Sequence, residues 1–259
     1  MVKKGLILLL LWLSSTPLWA FDHQHQGLAQ VLAEAVHPLG AASTVDYRWL
    51  KTHEDQLDDY LKQISDVQAA TYGKWSEAEQ IAFLINSYNG LTLKLILSKY
   101  PRLKSIKDLG GFFSGPWKVE FFTLLGEIHT LDSLEHGWLR AKFKEPRVHF
   151  AIVCGSVGCP ALSERPYVAS SLGQQLQQAK LRFLGDRSRN RYDPGTQTLY
   201  LSKIFDWFAE DFKAQSGSVA AFVAEGLIDD PEQQQKIKAG LVEIEYLSYD
   251  WSLNQSATP

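Results

Sequence analysis

The sequence predicts a helix-rich α+β fold in which a single domain carries a small antiparallel or mixed sheet. Helical periodicity dominates the N-terminal third, whereas strand-like segments are short, and the two kinds of segment neither alternate regularly nor separate into two blocks. The chain is 45% hydrophobic and has eight tryptophans, enough for a well-packed core. Residues 21–259 are long enough for one large domain and short for two.

Residues 1–20 are predicted to be a secretory signal peptide cut near Ala20. Lys3 and Lys4 precede an apolar run over residues 5–13, which is shorter than the ~20 residues that span a bilayer. We therefore expect a periplasmic or secreted protein without a stable membrane anchor after cleavage. The full chain has a net charge of −3, and removal of both lysines makes it more negative, which argues against nucleic acid as a partner.

Two amphipathic or apolar segments predict helices in the N-terminal third. Over residues 53–65 the apolar side chains recur at the spacing of one helix face. Ser76 and Glu79 form a capping box that begins a long helix ending before Pro101. Because this helix is apolar nearly all round, we expect it to be central and buried.

Asn86, Tyr88 and Asn89 lie within this apolar helix. A buried amide without a hydrogen-bond partner costs about 1–3 kcal/mol, so the two asparagines need partners. One interpretation is that they bind neighbouring loop backbone. The other is that they line an active site and orient a base or a substrate carbonyl.

The chain changes character beyond Pro116. Residues 118–124 and 127–131 predict a hairpin. A helix over residues 132–140 follows, with Glu135 placed to serve its cap and His136 beside it. The remaining predicted elements are a strand at 147–153, a helix at 168–185, a strand at 198–202, an aromatic-rich helix at 204–212 and a final strand at 241–249.

The segment 149–160 contains both cysteines and is the strongest candidate site. In a secreted chain, Cys154 and Cys159 suggest a disulfide that closes a short loop. The competing interpretation is that Cys154 is a thiolate nucleophile, with backbone N–H groups of the glycine-containing turn stabilising an oxyanion. Ser156 does not complete a G-x-S-x-G motif, because Cys154 stands where the first glycine should be.

A nucleophilic thiol needs a base, and two histidines are candidates. His149 is close in sequence, but on an unbroken strand residues 149 and 154 face opposite sides. His136, beside Glu135, is at least as good a candidate unless it is a solvated helical residue. A metal site formed by His149 and both cysteines lacks a fourth ligand, and neither a metal nor another cofactor is predicted.

Five segments together resemble the domain-of-unknown-function 547 family of bacteria and plants. They are FLINSYN (83–89), LDSLEHG (131–137), HFAIVCGSVGCP (149–160), LSKIFDWF (201–208) and YDWSLN (249–254). They extend over about residues 75–254 in family order. The resemblance implies one domain in which an asparagine-bearing helix, a Glu–His pair and a cysteine-rich turn recur together. It also suggests a fold similar to papain-like or transglutaminase-like hydrolases, in which the cysteine precedes its histidine, whereas His136 and His149 both precede Cys154.

The leading hypothesis is a periplasmic thiol-dependent hydrolase or acyltransferase acting on an amide, ester or thioester. Cys154 would attack the carbonyl, His136 or His149 would be the general base, and Glu135 would orient the imidazole. Asn86 and the turn amides would hold the oxyanion. Cys159, Ser156, Asn89 and Tyr88 would have substrate-binding or structural roles.

The alternative is a non-catalytic binding or assembly domain in which a Cys154–Cys159 disulfide braces a groove lined by aromatic residues such as Trp117, Trp207 and Trp251. The partner would be a small molecule or a peptide. Thiol–disulfide exchange ranks lower because the C-x2-C spacing is missing.

Overall fold

The computed structural model describes residues 20–110 and 115–256. The predicted signal peptide, except Ala20, lies outside these residues. Helices dominate, and the strands form two two-stranded sheets and one three-stranded sheet in this part of the chain. The predicted helix-rich α+β class is therefore confirmed. Across the described ranges, no helix combines the length and hydropathy needed to cross a membrane.

The N-terminal region is mainly helical. Its helices are α1 (Gln26–Ala35), α2 (Tyr47–Thr52), α3 (Glu54–Ser65), α4 (Ala69–Tyr72) and α5 (Glu77–Leu97). Between α1 and α2, strands β1 (Val36–Leu39) and β2 (Ala42–Val45) form an antiparallel hairpin. Its turn contains Gly40, whose φ of +59° is in the left-handed region that glycine tolerates.

Helix α5 is the central element. Ser76 caps it, and the reciprocal contacts of the capping box with Glu79 are both present. Its residues are buried almost continuously from Ile81 to Leu97, and it packs against α3 and against the helix that carries Glu135. The predicted long, buried and capped helix is confirmed.

The middle of the chain contains the predicted hairpin, β3 (Phe122–Leu124) paired antiparallel with β4 (Glu127–His129). A π-helix, Ser133–Arg140, follows. The prediction of a strand at 147–153 is wrong, because Pro146–Phe150 is a 3-10 helix. Pro146 at the first turn and the Glu145 side chain, which accepts from the backbone N–H of Arg147, favour a helical start. The alternation of faces expected between residues 149 and 154 therefore does not apply.

The C-terminal region combines helices with the largest sheet. After the 3-10 turn Ala169–Ser171, the helices are α6 (Leu172–Leu184), α7 (Ile204–Trp207), α8 (Ala209–Ser216), α9 (Val219–Leu227) and α10 (Pro231–Lys238). Strands β5 (Arg191–Asp193), β6 (Thr198–Leu201) and β7 (Glu243–Tyr246) form a mixed sheet, antiparallel between β5 and β6 and parallel between β6 and β7. The predicted aromatic-rich helix is divided at Phe208 into α7 and α8.

Two hydrophobic clusters make up the core. The larger one surrounds α5 and includes the N-terminal helices. The smaller one contains Phe150 together with apolar side chains of α6 to α10 and β6. The segment 146–160 contributes to both clusters, since Val148 and Ile152 belong to the first and Phe150 to the second. The candidate site lies along this segment.

Candidate functional site

A cavity of about 220 Å³ lies where the two clusters meet. The π-helix, the 3-10 helix, the cysteine turn, α7 and the C-terminal segment all contribute to its lining. Its polar and sulfur-containing lining residues are Asp132, Glu135, His136, His149, Cys154 and Cys159. Its aromatic lining residues are Tyr88, Trp117, Trp207, Phe208, Tyr249 and Trp251.

Cys154 and Cys159 form a disulfide at the cavity wall, with their Cα atoms 6.3 Å apart. The predicted disulfide is therefore present, and because the chain has two cysteines, neither is a free thiol. The turn between them needs glycine at residue 155, since φ is +79° there and a Cβ would collide with Ile96. Cys154 cannot act as a nucleophile in this oxidised state, because the thiolate is the reactive form.

Two hydroxyl groups contact the sulfur atoms. The Ser156 hydroxyl lies 3.0 Å from Cys154 Sγ, and the Tyr249 hydroxyl donates to Cys159 Sγ at 3.2 Å. These two hydroxyl oxygens are themselves 3.2 Å apart. Burial raises the pKa of Tyr249 to about 12, so it stays a neutral phenol at neutral pH.

His149 is buried, and its imidazole is hydrogen-bonded to the carboxylate of Asp211 on α8. Its Nε2 lies 2.7 Å from Asp211 Oδ2, and its ring stacks on Phe208 with centroids 3.9 Å apart. Arg140 donates to the same carboxylate from Nε at 2.6 Å and from Nη2 at 3.0 Å. Burial favours a higher pKa for Asp211, but the hydrogen bonds from His149 and Arg140 outweigh it and hold that pKa well below its usual range.

These contacts determine which nitrogen of His149 carries the proton. Because an ionised carboxylate only accepts hydrogen bonds, Nε2–H is the donor to Asp211. Burial lowers the pKa of His149 despite the opposing effect of Asp211. A neutral imidazole with hydrogen on Nε2 has its lone pair on Nδ1. Among the described residues, Nδ1 has no hydrogen-bond partner.

Glu135 is the group that faces this free nitrogen. Its Oε1 lies 3.9 Å from His149 Nδ1, and its Oε2 lies 3.5 Å from the hydroxyl of Tyr88. Burial raises the pKa of Glu135 to about 7, although Arg140 opposes the effect. The carboxyl of Glu135 is thus divided between its neutral and charged forms near neutral pH.

His136 lines the same cavity but has a different environment. Its Nδ1 accepts from Arg140 Nη1 at 2.7 Å, since arginine can only donate. Its Nε2 lies 3.6 Å from Asp132 Oδ1. Burial lowers the pKa of His136, and the nearby Arg140 charge acts in the same direction. One of its two nitrogens is therefore already engaged.

The two asparagines of α5 bind loop backbone. Asn86 donates to the carbonyl of Tyr167 at 2.7 Å and accepts from its N–H at 2.9 Å. Asn89 donates to the carbonyl of Ala151 and accepts from the N–H of Val153, both at 2.9 Å. This is the first of the two roles considered from the sequence. Asn86 is not among the residues that line the cavity, so its amide is not placed to hold an oxyanion there.

The aromatic residues form one continuous wall. Trp251 lies next to Trp117, Trp207 and Tyr249, with ring centroids 5.8, 5.5 and 4.5 Å away. Trp207 remains 44% exposed. The structure thus places all three tryptophans singled out from the sequence around the cavity that contains the disulfide.

Two residues at this site escaped the sequence analysis, Asp211 and Arg140. Arg140 follows His136 by four positions on a helix, which is a spacing that could have suggested the contact between them. Asp211 is 71 residues from Arg140 and 62 from His149, and nothing local in the chain connects them. In the ranges 20–110 and 115–256, no group of three or more His, Cys, Asp or Glu residues is arranged to hold a metal ion.

Comparison with known proteins finds a family model that matches part of the chain. Residues 72–184 match a family model described as a protein of unknown function, DUF547. No curated protein and no solved structure matches the chain, and the expected likeness to papain-like folds stays a prediction. The matched range includes Glu135, His149 and both cysteines, whereas Trp207, Asp211 and Trp251 follow it in the chain. Over residues 72–184, the chain thus matches the DUF547 family that its sequence segments resemble.

Proposed function

We propose that this protein binds a small, ring-bearing ligand in the cavity, and that the Cys154–Cys159 disulfide braces the wall of that cavity. The observation that carries the proposal is that the disulfide, an aromatic wall and a few polar groups all line one cavity. Apolar and aromatic walls with a small number of polar groups are typical of small-molecule sites.

The size of the cavity limits the ligand. About 220 Å³ is below the ~300–1,000 Å³ of sites for drug-sized ligands. A compound with a single ring fits this volume better than a folded peptide segment. The flat face of such a ring can stack on Trp207 or Trp251, as aromatic pairs do in protein cores.

The polar lining residues determine which polar groups the ligand should carry. Glu135 and Asp132 can pair with hydroxyl or N–H groups of the ligand, and His136 keeps Nε2 for a further contact. The expected periplasmic or secreted location supports a structural disulfide, because disulfides persist in oxidising compartments.

The test is a screen of single-ring compounds by quenching of tryptophan fluorescence, using oxidised protein. Trp207→Ala should lose most of the binding, because it removes a half-exposed ring of the aromatic wall. Leu181→Ala is the matched control, since Leu181 is also 44% exposed and lies outside the cavity lining. Binding that survives Trp207→Ala unchanged, or no binding by any ring compound, would contradict the proposal.

A second candidate is the thiol-dependent hydrolase or acyltransferase, acting in the reduced protein. It is favoured by one observation, that Cys154 lines the same cavity as His149, His136 and Glu135. Reduction would release Cys154 for attack on an amide, ester or thioester, with a histidine as base. Cys159→Ser, which leaves Cys154 free, should then hydrolyse activated esters, whereas Cys154→Ser should not. Equal rates for the two variants would exclude this candidate.

A further inference from the structure

We propose that Glu135, supported by His149 and Asp211, is a proton-transfer centre that acts on the ligand of this cavity without either cysteine. The inference rests on the proposed ligand site and deepens it. The substrate class is a small planar compound, with one ring or two fused rings, that has an acidic C–H group or an oxygen that accepts a proton.

Glu135 can be reached by a ligand in the cavity but is shielded from bulk water. Its side chain lines the cavity yet is only 11% exposed, so a bound ligand can reach the carboxyl while bulk water has little access. A shielded carboxyl holds its proton more tightly than one in water and becomes a stronger base once it is ionised. Tyr88, on α5, is 3.5 Å from Oε2 and limits how the carboxyl can turn.

His149 and Asp211 lie beside Glu135 and form a chain of polar contacts with it. The bond from Nε2 to Asp211 fixes the tautomer and leaves the lone pair on Nδ1, which lies 3.9 Å from Glu135 Oε1. This nitrogen is buried, and no described residue hydrogen-bonds to it. When Glu135 is protonated, its O–H can donate to this nitrogen on closer approach. His149 is therefore a positioning residue for the Glu135 carboxyl, and Asp211 holds the imidazole in the required tautomer.

Several charged or titratable groups surround this pair. They are Asp132, His136 and Arg140 on or beside the π-helix, Asp211 on α8, and the phenols Tyr88 and Tyr249. Arg140 is the cation that opposes the buried negative charges. Because burial raises the pKa of Glu135 to about 7, the carboxyl can act as acid or base near neutral pH.

The probe is 5-nitrobenzisoxazole, a planar compound of two fused rings, whose isoxazole ring opens after loss of one proton. The carboxylate of Glu135 would take the proton from carbon 3, and the electron pair left behind would form the nitrile. The N–O bond breaks and the oxygen leaves as a phenolate, which absorbs visible light. No oxidant, reductant or second reactant is needed.

In oxidised wild-type protein, we expect ring opening above the buffer rate, with a rate that rises with pH to a midpoint near 7. Glu135→Gln should lower the rate by about 100-fold or more, the usual contribution of a positioned acid or base. Treatment of the oxidised protein with iodoacetamide, which alkylates free thiols, should leave the rate unchanged, because neither cysteine is a free thiol and catalysis by Glu135 needs no thiolate. His149→Asn should displace the pH midpoint, whereas a purely structural role would lower the rate at an unchanged midpoint.

Fluorescence quenching by the probe separates this inference from the proposed ligand site. Quenching without ring opening above the buffer rate would overturn the proton-transfer centre and leave the ligand site intact. Absence of quenching by the probe would overturn the proton-transfer centre, and absence of quenching by the probe and by every single-ring compound would overturn both. A rate abolished by iodoacetamide would overturn the claim that no thiol takes part. Should Glu135→Gln fail to fold, a wild-type pH profile without a midpoint between 6 and 8 would overturn the proposal by itself (a window of about one unit around 7).

Discussion

The two walls of the cavity differ in how completely their polar atoms are paired. On the disulfide wall, the sulfur atoms are bonded to each other and contacted by the hydroxyls of Ser156 and Tyr249. On the histidine wall, which contains Glu135 and His149, His149 Nδ1 lacks a partner among the described residues, and the pKa of Glu135 is raised to about 7. Groups with displaced pKa values cluster at functional sites. The comparison indicates that reactivity belongs to the histidine wall and bracing to the disulfide wall.

The largest expected effect is the pH dependence of Glu135→Gln. Because the folded-state pKa of Glu135 is raised from 4.5 to about 7, its contribution to stability is present below pH 4.5 and lost as the pH rises through 7. Glutamine does not ionise, so the variant should gain about 3 kcal/mol over wild type between pH 4.5 and pH 8. Urea unfolding at both pH values measures the difference. If the difference in the free energy of unfolding between the variant and wild type did not change with pH, the pKa of Glu135 would not be raised in the folded protein. The two walls would then not differ in this respect.

Asp211→Ala tests the contribution of the histidine wall to stability. The substitution leaves Arg140 and the buried His149 without their shared carboxylate, and we expect a loss of about 2–3 kcal/mol in the free energy of unfolding. The neighbouring Glu210→Ala is the matched control, because among the described residues Glu210 forms its ion pair with the exposed Lys213. Urea unfolding of both variants gives the comparison. A loss as small as that of Glu210→Ala would show that the His149 contact adds little stability.

Replacing both cysteines by alanine should cost less. The disulfide closes a loop with a sequence separation of only 5, and the loop-entropy relation gives about 2 kcal/mol for so short a loop. Thermal unfolding of wild type with and without reductant gives an independent value. A loss well above that of Asp211→Ala would mean that the disulfide wall, and not the histidine wall, organises the site.

The smallest expected effect on stability is that of Trp207→Ala. Trp207 is 44% exposed and its ring contacts those of Tyr249 and Trp251, so we expect the free energy of unfolding to fall by about 1 kcal/mol. Ligand binding should nevertheless fall strongly. A large loss of stability with unchanged binding would assign the aromatic wall to the core and remove it from the site.

Local sequence patterns predicted much of this molecule. The capping box at Ser76 and Glu79 depends on residues three apart, and the hairpin around Leu125 and Gly126 depends on a two-residue turn. Both are short-range features, and both are confirmed. The strand predicted over 147–153 failed because an apolar run is compatible with either a strand or a buried helix, and here Pro146 and Glu145 decided for a helix.

The residues of the site were predicted only in part, because residue type and local spacing mark some of them and not others. Cys154, Cys159, Glu135, His136 and His149 stood out by residue type, and the structure brings all five to one cavity. The two asparagines of α5 were recognised as buried amides, but the backbone groups they bind are 62 to 81 residues away. The residue that orients His149 was missed entirely, because no local pattern marks it.

Local patterns were enough to predict the helix-rich class, the buried central helix and the short loop between the two cysteines, because each depends on neighbours along the chain. The contact of Asp211 with His149 and Arg140, and the shielding that raises the pKa of Glu135, arise from packing between distant segments. Protonation depends on burial and on charges a few ångströms away in space. Those are set when distant segments pack together, and no local pattern contains them.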